Sequence, residues 1–317
     1  MTLMEWVEVP FEVQKPQDGR RVDSYLASRL HRYSRSQVQR LIADGRVFLR
    51  GKPAKPSGRV AEGETVLIRY PRHPELPCPH IAFTILHEDD FLLVIDKPAQ
   101  ILCHPTDKIH NNTVTSVLKN QFQGLHLHLA HRLDRETSGV LLLSKDPKTA
   151  RILTSHFTLH RVKKEYLALA SGRISWKHKT VDAPIGKEDG EIKVRQSVGH
   201  GAEAITEFER LSSSASVSLV RARPRTGRLH QIRAHLAHLG HPVLGDKLYM
   251  GAGELYMKAV RKTLSEQDLE KLGAPRQMLH AQTLTLPHPA TGRELRVQAP
   301  LPEDFKRIMK AQGLLQP

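Results

Sequence analysis

The chain has 317 residues, 39% hydrophobic and 26% charged, with 48 Lys and Arg against 33 Asp and Glu, a formal charge of +15 and a pI near 9.9. That length fits two domains, the larger with a substantial core, and the positive balance suits a phosphate-rich partner. The two cysteines, Cys78 and Cys103, exclude a disulfide scaffold and a cysteine zinc site. No apolar run reaches transmembrane length, and residues 1–13 carry Glu5, Glu8 and Glu12, unlike a signal or transit peptide. A cytoplasmic protein without a membrane partner is expected.

Residues 1–17 read as an N-terminal extension. Residues 18–70 hold 12 Lys and Arg against 5 Asp and Glu, a local charge of +7. Val22, Leu26 and Leu30 have helical spacing; Ser34 offers an N-cap for a second helix carrying Val38, Leu41 and Ile42, which Gly45 ends. Residues 47–49 form a short strand, residues 50–52 a tight turn, and residues 64–70 a closing strand. This order resembles the alpha-L RNA-binding motif, a small α/β domain. The resemblance implies phosphate contacts from Arg32, Arg35, Arg40, Arg46 and Lys52. Residues 71–79, with Pro71, Pro74, Pro77 and Pro79, predict an extended linker, and residues 80–317 a second domain.

Within that domain, residues 131–139 read HRLDRETSG and lead into an apolar run over residues 140–143. Asp134 lies between Arg132 and Arg135, and neighbouring positive charge keeps a carboxylate ionised against the pull of burial. An ionised carboxylate is what a nucleophile or general base requires. A second basic cluster, RPRTGRLHQIR, spans residues 223–233. Thr226 and Gly227 predict a turn, and Leu229, Ile232, Leu236 and Leu239 predict a helix ended by Gly240 and Pro242. The N-terminal amides of that helix, with Arg225, Arg228 and Arg233, would form an anion site for a phosphate or a catalytic carboxylate. Residues 251–273 look like an insertion with a helix over residues 264–272, begun near Ser265 and stopped by Gly273 and Pro275. The histidines at 126, 128 and 131, or at 230, 235, 238 and 241, lack the Cys or carboxylate partners of a familiar ligand set, so no metal site is assigned.

These motifs resemble the RluA-type pseudouridine synthases. HRLDRETSG corresponds to that family's catalytic signature, residues 164–168 (KEYLA) to its Lys-x-Tyr-x-Ala motif, and TGRLHQIR to its third motif. Residues 92–99, with His104 and Pro105, resemble its opening strand and loop; residues 245–249, 276–281 and 299–305 resemble its closing segments. Gln100 and Met250 stand where the family usually has glycine. The resemblance covers about residues 82–310. It implies an α+β fold: a catalytic domain with a mixed, largely antiparallel sheet, behind the small RNA-binding domain.

The implied reaction breaks the N1–C1′ bond of a uridine, rotates the uracil and joins C5 to C1′, with no redox change and no cofactor. The resemblance makes Asp134 the essential carboxylate, acting on C1′ or the base, or removing the 2′ proton. It assigns Arg228 as the cation paired with Asp134, and Tyr166 as the ring against the flipped uracil. Arg132 is assigned to the vacated stack; His131, Ile232 and Arg233 are expected in base flipping and substrate binding. Base–aromatic stacking contributes about 1–3 kcal/mol, and leaving the stack costs a few kcal/mol. The expected partner is RNA: large-subunit ribosomal RNA first, transfer RNA as the alternative, modified by a monomer without a protein partner. Two other classes compete: a catalytically silent RNA-binding or ribosome-assembly protein, and a hydrolytic glycosidase, which would need a second carboxylate.

Overall fold

A computed structural model describes residues 5–30, 33–72, 81–106, 109–122, 124 and 126–315. The chain divides into two compact units, residues 1–76 and 77–317.

In the first unit, β1 (Glu5–Glu12) precedes α1 (Val22–Arg29) and α2 (Arg35–Ala43), which are followed by β2 (Val47–Leu49), β3 (Lys52–Pro53) and β4 (Thr65–Arg72). The strands form one antiparallel sheet in the order β1-β4-β2-β3. Ser34 caps α2 by accepting from the Gln37 amide, while the Gln37 side chain accepts from the Ser34 amide. Tyr25 and Leu26 of α1 and Val38, Leu41 and Ile42 of α2 pack on Val47, Val66 and Ile68. The segment expected as an extension instead supplies β1, paired with β4 along its whole length. Its alternating Val7, Val9 and Phe11 are obscured in sequence by three glutamates and Pro10. Most of the expected linker, and Cys78, lie outside the described residues.

The second unit begins with β5 (Thr84–Glu88), β6 (Leu92–Lys97), α3 (Val114–Gln121), β7 (His128–Leu129), β8 (Ser138–Ser144) and α4 (Pro147–Thr158). It continues through β9 (Lys163–Ser171), β10 (His178–Asp182), β11 (Ile185–Lys187), β12 (Gln196–Val198), β13 (Ile205–Ser213), β14 (Val217–Pro224) and α5 (Gln231–His238). It ends with α6 (Glu254–Arg261), α7 (Glu266–Leu272), β15 (Leu279–Pro287), β16 (Glu294–Gln298) and α8 (Glu303–Ala311). The central sheet runs β10-β13-β14-β9-β15-β8-β6-β5, with β16 also on β15 and β7 also on β8; β11 and β12 pair separately. Every pairing is antiparallel except β15 with β8. The sheet is therefore mixed and largely antiparallel, as the resemblance implies.

Side chains alternate across these strands and bury both faces. Leu141 and Leu143 of β8 pack with α3, whereas Val140 and Leu142 pack with Leu153 and Phe157 of α4. Ala168 and Ala170 of β9 meet α5, and Leu167 and Leu169 meet Phe305 and Met309 of α8. Tyr166 touches both the α3 and α5 clusters, at the seam between them. Gly139 has φ of 110°, and a Cβ there would lie 2.1 Å from the Ala281 carbonyl oxygen. Only glycine lets β15 approach β8 at the point where the 131–137 loop enters the sheet.

Candidate active site

Asp134 sits in the loop before β8, its backbone carbonyl accepting from the Thr137 amide at 3.1 Å. The neighbours of Asp134 are tethered. Cys103 Sγ donates to the Leu133 carbonyl and accepts from the Leu133 amide, both at 3.3 Å. Lys97, fully buried, donates to the carbonyls of Pro98, Ile101 and Arg135 at 2.9, 3.0 and 3.2 Å. Arg276 donates to the Glu136 carbonyl at 3.0 Å, and the Glu136 carboxylate accepts from Lys247 and the Gln277 amide. Gln277 Nε2 holds Thr137 Oγ1 at 2.8 Å. A loop tied at each of these points presents its carboxylate at little further entropic cost.

Arg233 of α5 donates from Nη1 to Asp134 Oδ2 at 2.7 Å. Its other edge forks onto Asp246, Nε to Oδ2 at 2.6 Å and Nη2 to Oδ1 at 2.9 Å. Arg233 and Asp246 are 8% and 1% exposed, while Asp134 is 24% exposed. Asp246 is fixed by the amides of Leu248 and Tyr249, and the Arg233 guanidinium lies 5.2 Å from the Tyr249 ring centroid. Burial alone would raise the pKa of Asp134, but the charge of Arg233, aided by His230 and by hydrogen bonds from Arg233 and Gln277, outweighs it and holds the carboxyl below its ordinary value. Burial pulls His230 down to about 4, so at neutral pH the acting charge is that of Arg233.

Asp134 Oδ2 receives Arg233 and, at 3.5 Å, Gln277 Nε2. Among the described residues no hydrogen bond reaches Oδ1, and His230 Nε2 lies 4.0 Å from it. Oδ1 is thus the oxygen left for a ligand. Asp134 lines a cavity of about 320 Å³, whose walls include Tyr166, Ile232, Lys164, Phe157 and Leu279; a volume of this size suits one small ring system. The Tyr166 hydroxyl has no hydrogen-bond partner among the described residues, and burial raises its pKa, so it is a neutral phenol. Lys164 Nζ donates to the Thr226 carbonyl at 2.8 Å, and burial lowers its pKa to about 8.

Two expectations are corrected. Arg228 does not pair with Asp134: its Nε donates to the Glu203 carbonyl at 2.8 Å, and its side chain lines the cavity wall. The helix expected from Leu229 is present but begins two residues later, at Gln231, after His230 in a left-handed conformation (φ 56°, ψ 17°). The reversal at His230 turns residues before it outward and aims Arg233 inward. The anion site expected at this helix start is also divided, because Arg225 pairs with Glu207 while Arg233 is committed to two carboxylates.

The other expected residues are placed as follows. His131 lines the cavity, but its Nε2 accepts from the Leu142 amide at 3.2 Å, and burial lowers its pKa to about 3. It is a neutral wall group that leans on Phe157. Arg132 is exposed and makes no hydrogen bond among the described residues. In the first unit Arg40 and Lys52 are exposed, and Arg46 lies 3.8 Å from Asp44. Arg35 is half exposed but donates to the buried Asp23; Arg32 lies outside the described residues. Asp246, His230, Gln277 and Lys97 were not assigned roles from sequence. Their signal was present in the closing segments (Asp246, Gln277), in the third motif (His230) and in the strand-end Lys97–Pro98 pair, but nothing in linear order aims them at Asp134. Among the described residues, no three His, Cys, Asp or Glu side chains converge as a metal ligand set.

A family model for RNA pseudouridylate synthase matches residues 91–238, and an S4 domain model matches residues 20–66. The chain is 34% identical over 299 residues to a ribosomal large subunit pseudouridine synthase D of Xanthomonas campestris pv. campestris, covering 92% of this chain and 89% of that protein. It is 32% identical over 304 residues to the protein of the same name from Pseudomonas aeruginosa, covering 94% and 92%. Among solved structures, human RNA Pseudouridylate Synthase Domain Containing 4 matches with a TM-score of 0.59 and 31% identity, over 74% of this chain and 94% of that one.

Proposed function

The chain belongs to the RNA pseudouridine synthases, isomerases of uridine in RNA, and on that premise we propose that it acts on large-subunit ribosomal RNA through Asp134. The observation that carries the assignment of Asp134 is its geometry: a carboxylate lining a ring-sized cavity, with one oxygen fixed by Arg233 at 2.7 Å and no hydrogen bond at the other among the described residues. A target uridine flipped into that cavity places its ribose beside Oδ1 and its uracil against Tyr166 and Ile232. The step at Oδ1 is attack at C1′ or on the base, or removal of the 2′ proton. Each needs the ionised form that Arg233 maintains, and each ends with C5 bonded to C1′ and the C5 proton released. Asp246 is a positioning residue, fixing the far edge of the guanidinium. Arg132, exposed and without a hydrogen bond among the described residues, fills the stack that the uridine leaves, and a planar cation suits that task.

The ribosomal target rests on the S4 domain and on the names of the relatives. The basic first unit, through Arg32, Arg35, Arg40, Arg46 and Lys52, supplies sequence-independent affinity for phosphates. Pseudouridine mapping of total RNA from cells with and without the gene tests this reading. The expected result is loss of a site in large-subunit ribosomal RNA from the deletion strain; loss confined to transfer RNA would replace the target, and no loss in any RNA would refute the activity at Asp134.

A further inference from the structure

The inserted segment between β14 and β15 builds a wall that the uridine site does not use. Helix α6 buries Leu255 and rests Tyr256 on the core beneath α5. Lys258 braces it against α7, reaching Asp268 at 3.1 Å, and Asp268 is itself held in the capping box of Ser265. So anchored, α6 leaves Val260 60% exposed, on the rim of a groove of about 630 Å³ that runs between the helix and the 131–137 loop. Val194, 44% exposed, and Leu229, 38% exposed, also line it. Arg132 and Arg135 stand in the same groove, both exposed.

The groove and the uridine cavity share Arg132, Asp134, His230 and Arg233 in their walls, so the two adjoin. A polymer whose one residue sits on Asp134 must continue through such an opening. Exposed aliphatic side chains give a base an apolar face, and guanidinium groups lining the same groove answer its phosphate. We propose that this groove receives a nucleotide adjacent to the target uridine, its base against Val260, Val194 and Leu229 and its phosphate beside Arg132 and Arg135. The inference rests on the isomerase reading above and adds a specificity-determining surface to it. It accounts for an exposed apolar wall beside Arg132, which has no hydrogen bond among the described residues, and Arg135, whose Nε donates to the Gln100 carbonyl at 3.3 Å.

The test uses the full chain with p-benzoylphenylalanine in place of Val260, and two probes: an unmodified transcript of large-subunit ribosomal RNA and unmodified transfer RNA. Pseudouridine formation is read by tritium release from C5-labelled uridine, and crosslinks are mapped by primer extension. The expected crosslink falls on a nucleotide immediately beside the newly formed pseudouridine. In parallel, Val260→Glu should raise KM about tenfold, the size of one lost base contact, with kcat changed less than about twofold, and Val260→Leu should restore the wild-type KM. Pseudouridine formation with crosslinks distant from it, or with KM unmoved by Val260→Glu, would overturn the groove assignment while leaving the activity standing. No tritium release from either RNA would overturn the isomerase reading, and the groove assignment with it.

Discussion

The two units each contain a carboxylate held by arginine, and the contrast between them separates architecture from chemistry. Asp23 is fully buried in the first unit, with Arg21 and Arg35 on both its oxygens and Gln39 donating to Oδ2 at 2.8 Å. Asp134 lines a cavity and has hydrogen bonds at one oxygen, with none at the other among the described residues. Both are held below the ordinary carboxylate range, Asp23 chiefly by its hydrogen bond from Arg21 against the pull of burial, Asp134 by Arg233 against the same pull. A depressed pKa therefore does not mark a reactive group. The open oxygen does: a saturated carboxylate pins helices, and a half-saturated one beside a cavity is poised to act.

Breaking the second arrangement should have the largest effect. Asp134→Asn keeps the volume and removes the charge, so turnover of a ribosomal RNA transcript should fall on the order of a thousandfold or more with RNA affinity nearly intact. Tritium release and filter binding, measured on one preparation, separate the two. Next comes the partner. Arg233→Met strands the buried Asp246 and the partly buried Asp134, and breaking a buried pair costs roughly 3–5 kcal/mol, so both kcat and thermal stability should fall. Arg228→Met should leave the melting temperature unchanged and reduce kcat far less. Equal losses from the two variants would point back to Arg228 as the paired cation.

Breaking the first arrangement should spare the chemistry. Asp23→Asn leaves two arginines incompletely bonded, a loss of roughly 1–3 kcal/mol. Hydrogen exchange should report it as faster opening of α1 and α2, with kcat at saturating RNA unchanged. The smallest effect belongs to the surface charges. Replacing Arg40, Arg46 and Lys52 together by Gln should flatten the slope of log affinity against log salt by about 2 to 3, the value for three phosphate contacts. An unaltered slope would remove these side chains from the RNA grip.

Much of this organisation is legible in the residues, for local reasons. Ser34 followed by Gln37, and Ser265 followed by Asp268 and stopped by Gly273, specify helix ends through bonds within four residues of sequence. The continuous apolar run of β8 reflects a strand buried on both faces. Asp134 was legible because its motif is contiguous. Its partner was not, since Arg228 and Arg233 are equally near in sequence and only the left-handed turn at His230 decides which one faces inward. The same turn explains why α5 starts later than its apolar spacing suggests. Gln100, where glycine is usual in the family, adopts φ of 72°, so the departure leaves the glycine-like turn in place. β1 was missed because its pairing partner, β4, lies more than fifty residues on, and strand pairing at that distance leaves no local mark.

Whether Arg233 keeps Asp134 ionised for the reaction is read from the pH dependence of the single-turnover rate in wild type and Arg233→Met. In the wild type the folded pKa of Asp134 lies below its ordinary value of about 3.9, so the carboxylate persists as pH falls and the rate should show no acid limb between about pH 5 and 7. Without Arg233 the pull of burial meets only the weaker help of His230 and Gln277, the pKa rises, and the variant's rate should increase with pH across that range. A flat profile in Arg233→Met, or an acid limb in the wild type within that range, would contradict the account.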